Sequence, residues 1–93
     1  MPREVSLERG VLMFRETTLN GSTMLRVPLS PQSVTECVAE QVKDTKEVRQ
    51  LELVMPVRGR LVLGTKHGDA NDTLERIIRV CHAKGIETRV RAG

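Results

Sequence analysis

Ser30-Pro31-Gln32-Ser33-Val34-Thr35-Glu36-Cys37-Val38-Ala39-Glu40-Gln41-Val42-Lys43-Asp44-Thr45-Lys46 is the stretch on which the architecture turns. Ser30 suits an N-cap, and Pro31 suits a first helical position, where its missing N–H costs nothing. Val34, Cys37, Val38 and Val42 then fall on one face at helical spacing, while Glu36, Glu40, Asp44 and Glu47 make the other face acidic. The spacing predicts a helix that ends near Lys46.

N-terminal to it, Asn20-Gly21 is the preferred pair for a two-residue type I′ turn, because both central positions need a positive φ. The flanks are strand-compatible, which predicts strands over about 11–18 and 23–29. In the second, Leu25, Val27 and Leu29 alternate with Met24, Arg26 and Pro28. Val5 to Leu7 can add a strand or an extended arm. Val11-Leu12-Met13-Phe14 is apolar on both strand faces, so one of them needs a cover from the chain or from another copy.

On the other side, Leu51, Leu53, Met55 and Val57 alternate with Glu52, Val54 and Pro56. Pro56 cannot donate a ladder hydrogen bond, so this strand should sit at a sheet edge or stop there. Arg58-Gly59 can turn the chain into a further strand, Leu61-Val62-Leu63; alternatively 51–63 is one long strand with a glycine bulge. Asp72, with Glu75 three residues on, resembles a capping box. Leu74, Ile77, Ile78 and Cys81 give the stripe of a second helix, closed by Lys84-Gly85. Ile86, Thr88 and Val90 alternate with Glu87, Arg89 and Arg91 as a final strand.

The expected fold is therefore α/β (α+β). Two helices pack on one face of a mixed four- to five-stranded sheet in the order ββαββαβ. Without its first strand this is the split βαβ order of ferredoxin-like folds. The Asn-Gly hairpin conflicts with that order, because it pairs a strand whose two neighbours would already be taken. Residues 1–93 are expected to form a single small domain, since 93 residues leave no room for a second core.

Composition narrows function mainly by exclusion. One Phe with no Tyr and no Trp removes the commonest interface hot spots and the stacking platforms for single-stranded nucleic acid. No segment reaches the ~18 apolar residues of a membrane span, and no signal peptide is visible. Cys37 and Cys81 follow no metal-ligand spacing, so free thiols in a reducing, cytoplasmic setting are expected, with no metal and no cofactor. Both cysteines lie on predicted buried stripes and read as small core hydrophobes.

The net charge of +3 is uneven. Up to Val57 there are seven basic and eight acidic residues; from Arg58 onward there are eight basic and four acidic. Arg26, Arg89 and Arg91 are expected on the sheet face away from the helices, with Arg58 and Arg60 at a turn edging it. Such a face suits a protein partner or a second copy. The same arginines could instead grip phosphates without base readout, giving strongly salt-dependent nucleic-acid binding. Two edge strands also offer edge-to-edge pairing.

The loop from Gly64 to Asn71, with Lys66, His67, Gly68 and Asp69, precedes a helix N-terminus and is the remaining candidate for an anion, a small ligand or acid–base chemistry. It does not match the phosphate-loop consensus, and Asp69 and Asp72 would repel a phosphate. His82 reads as a surface histidine near a helix C-terminus. No catalytic residue is assigned. The leading expectation is a non-enzymatic binding or accessory module, oligomeric, that makes protein contacts.

Overall fold

The computed structural model describes residues 3–92. They form seven strands and one α-helix: β1 (Arg3–Glu8), β2 (Val11–Thr18), β3 (Gly21–Pro28), β4 (Glu36–Gln41), β5 (Val48–Met55), β6 (Gly59–Gly64), α1 (Asn71–Ala83) and β7 (Glu87–Ala92). The strands make two sheets, a three-stranded meander β1-β2-β3 and a four-stranded sheet ordered β6-β5-β4-β7. In the second sheet β4 runs parallel to β7, while its other pairs are antiparallel.

The principal correction concerns 30–46, which is not a helix. Ser30 does begin a single turn, its carbonyl accepting the N–H groups of Ser33 and Val34. The turn does not propagate, and Glu36–Gln41 becomes the interior strand β4. Cys37 and Ala39 are fully buried, while Glu36, Val38 and Glu40 face the other way. The segment satisfies periods of 2 and 3.6 together. What decides between them is the ladder available on both sides of β4, together with β-branched Val34, Thr35, Val38 and Val42, which lose χ1 freedom in a helix. A short loop then returns the chain to β5, with Asp44 at φ +64°. One helix and two sheets therefore replace the expected two helices on one sheet, and the ferredoxin-like order is absent.

The hairpins also differ in detail. The paired positive-φ residues of a type I′ turn occur at Arg9 and Gly10 (φ +53° and +75°), between β1 and β2. At the second hairpin Thr18 pairs with Gly21, so the loop is Leu19-Asn20 and only Gly21 (φ +123°) takes a positive φ. The extended segment around Val5–Leu7 is a full strand.

Elsewhere the pattern holds. The strand containing Pro56 stops at Met55, and Gly59 (φ +92°) turns the chain into β6, as two strands and not one. Helix α1 buries Leu74, Ile77 and Cys81. Its end is a full Schellman arrangement: Gly85 (φ +79°) donates to the His82 carbonyl and Ile86 to that of Cys81. Its start is not the expected capping box. Ala70 is the N-cap without a side-chain bond, and Asp72 lies inside the first turn, where its charge complements the helix dipole.

One hydrophobic core joins these parts. Leu7, Leu12, Phe14 and Val27 come from the inner face of the meander; Cys37, Ala39, Leu51, Leu53 and Leu63 from the four-stranded sheet; Leu74, Ile77 and Cys81 from the helix. Helix and meander thus cover the same face of the four-stranded sheet, and its opposite face is left open.

Candidate functional site

The open face follows from strand alternation and the ladder registers. It carries Arg60 and Val62 from β6, Gln50, Glu52 and Val54 from β5, Glu36, Val38 and Glu40 from β4, and Glu87, Arg89 and Arg91 from β7. The registers bring opposite charges together across strands. Arg60 Nη1 lies 3.1 Å from Glu52 Oε1, and Arg89 Nη1 lies 3.2 Å from Glu36 Oε2. Arg49, at the irregularity where β5 pairs with β4, reaches Glu40 Oε1 at 2.7 Å. That hydrogen bond, with the guanidinium charge behind it, holds the Glu40 carboxyl below its ordinary pKa. Val38, Val54 and Val62 separate the charged groups.

Among the expected arginines, Arg60, Arg89 and Arg91 share this face. Arg26 does not. It lies on β3 in the other sheet, paired with Met13 on the face away from the core, so the five arginines do not form one surface. Arg58 bridges the two sheets, donating through Nη1 to the Arg26 carbonyl at 3.0 Å. Of the glutamates on the face, Glu52 and Glu87 stand where strand alternation already sets them, among the arginines, whereas Glu36 and Glu40 were expected on the acidic side of a helix. Their signal was the alternation Glu36-Val38-Glu40.

The 64–70 loop is tied down from within. Asp69 is buried, and its Oδ2 accepts the Gly64 N–H at 2.8 Å and Arg3 Nη2 at 3.1 Å. Arg3 in turn lies over the Phe14 ring, 4.8 Å from its centroid. Thr65–His67 form one 3₁₀ turn ended by Gly68 at φ +91°. Lys66 borders a shallow polar depression with Thr65, Glu40, Arg49 and Gln50, whereas His67 and Gly68 are exposed outside it. The four loop residues do not converge on one point.

Cys37 and Cys81 are buried free thiols that meet across the β4–α1 interface. The contact with Cys81, and then burial, push the Cys37 thiol far above its ordinary pKa, so it stays protonated in the core. Among the described residues no cluster of three His, Cys, Asp or Glu could hold a metal ion, and no helix is long and apolar enough to cross a membrane. Comparison with protein-family models, curated proteins and solved structures finds no match to this chain.

Proposed function

We propose that this protein is a binding module that presents the open face of the four-stranded sheet to a protein partner. The supporting observation is charge balance on that face. Arg60, Arg89 and Arg91 stand among Glu36, Glu40, Glu52 and Glu87, with Arg49 and Lys66 beside Glu40, so the two signs are interleaved and near balance, and three guanidiniums already hold carboxylates. A phosphate backbone would have to displace those carboxylates. A protein surface with interleaved charges and small apolar residues meets complementary groups at each position.

Two measurements test the reading together. Titration with single- and double-stranded DNA and RNA at low and high salt is expected to give no saturable binding; a steep salt slope weakened by Arg89→Ala and Arg91→Ala would overturn it. Proteins retained by the immobilised chain should be lost with Val54→Asp and with Arg89→Glu, yet kept by Met24→Asp on the outer face of the meander. Equal retention by all three variants, or no retained protein at all, removes the proposal.

A further inference from the structure

The four sheet edges are not treated alike. At the β6 edge, Arg3 Nη2 donates to the Val62 carbonyl at 3.5 Å. At the β1 edge, Arg76 Nη2 reaches the Leu7 carbonyl at 3.3 Å, with α1 alongside. At the β3 edge, Arg58 covers the Arg26 carbonyl. Each of these edges has a backbone acceptor engaged by an arginine from elsewhere in the chain, one way of blunting an edge against further pairing. The fourth edge is β7. Among the described residues no side chain bonds to the backbone of Glu87–Ala92, its pairing with β4 is unbroken by any bulge, and it contains no proline. Val90 lies on the helix-side face yet remains 53% exposed.

We infer that β7 is the docking edge for a second copy of this chain, pairing antiparallel with its own counterpart to join two four-stranded sheets into one of eight strands. Two-fold symmetry about an axis normal to the sheet requires each residue to face one of the same parity. Centring the ladder on Arg89 then sets Glu87 against Arg91 of the other copy at both ends, and Thr88 against Val90 between them. Glu87 and Arg91 have no ion-pair partner of their own among the described residues, so this register uses charges the chain leaves free. The two Arg89 side chains meet at the axis, each already held by its own Glu36. Centring on Val90 would oppose Arg89 to Arg91 and is disfavoured. Centring on Thr88 leaves Arg91 unpaired and engages fewer residues of β7. The apposed side chains fix partner and register, and the main-chain hydrogen bonds supply affinity. The open faces lie on the same side of the joined sheet; Glu87, Arg89 and Arg91 belong both to that face and to the edge contact, whereas Val54, two strands in from the edge, belongs to the face alone.

The test is a charge swap read by analytical ultracentrifugation, with circular dichroism to check folding. The wild-type chain should sediment at twice its 10.4 kDa mass. Glu87→Arg alone places Arg against Arg, and Arg91→Glu alone places Glu against Glu; each folded variant should dissociate at least tenfold more readily. An equimolar mixture of the two restores both Arg–Glu contacts and should recover a mixed dimer. A monomeric wild type overturns the inference, as does an Arg91→Glu variant that dimerises normally or a mixture that stays monomeric. Val54→Asp on the open face should leave the dimer intact, which separates failure of this proposal from failure of the other.

Discussion

Asp69 is the buried charge among the described residues, although in the sequence it reads as one polar loop residue among several. Its carboxylate is buried and shared between the Gly64 amide and Arg3, so removing it leaves a guanidinium without its partner and an amide without an acceptor. Truncating one member of a buried pair costs roughly 3–5 kcal/mol. Arg3 keeps some contact with water, so Asp69→Ala should fall near the lower end. Urea unfolding measures it, and a loss below about 1 kcal/mol would mean that the pair is dispensable. Glu40 gives a contrasting case at the surface. Arg49 lowers its pKa, so any stability from this pair is present above the unfolded-state value and is lost as pH falls through the folded one. In an NMR titration of Arg49→Ala, the Glu40 midpoint should rise toward the ordinary carboxylate value. An unmoved midpoint would exclude Arg49 as the cause. Neither partnership was visible in the sequence, because Arg3 and Asp69 lie 66 positions apart and Arg49 sits at a ladder irregularity.

Among the elements, α1 is the one whose C-terminal limit the sequence states most directly. An apolar stripe at i, i+3, i+4 and i+7 and a terminal glycine leave little choice, and the C-terminus forms as those residues require. Gly85 sits at φ +79° with nothing near its absent Cβ, so the cost of Gly85→Ala is conformational and not steric. It should destabilise by about 1 kcal/mol, the left-handed penalty for an L-residue, seen as a lower thermal midpoint with unchanged circular dichroism. A midpoint equal to wild type would show that the helix end relaxes freely. β4 is the opposite case. Its residues fit either period, and local preference cannot arbitrate when the deciding partners, β5 and β7, lie elsewhere in the chain. The turns fall between these extremes: Asn20-Gly21 marks a hairpin correctly, while the register moves by one residue because Gly21 alone supplies the positive φ.

For the molecule as a whole, the mixed α+β class was legible, and so were the core positions of α1 and β5, whereas Val38 and Val42, expected on a buried helix face, are only partly buried. The division into two sheets was not, since nothing in strand alternation says which strands share a ladder. That division separates Arg26 from Arg89 and Arg91, and the strand β4 also brings Glu36 and Glu40 among the arginines, beside Glu52 and Glu87. The surface drawn from the sequence as an arginine-lined patch is, in three dimensions, a mosaic of both signs.

β4 pairs on one side with its hairpin neighbour and on the other with a strand about fifty residues later. Such a long loop must close before the parallel ladder forms, which places refolding among the slower, high-contact-order topologies. During synthesis, β4 and β5 can meet as soon as they emerge, but Cys37 and Ala39 keep an uncovered flank until the crossover helix and β7 follow. A nascent chain stalled within that interval would expose an unpaired, half-apolar strand, making it a natural client for chaperones that shield extended segments.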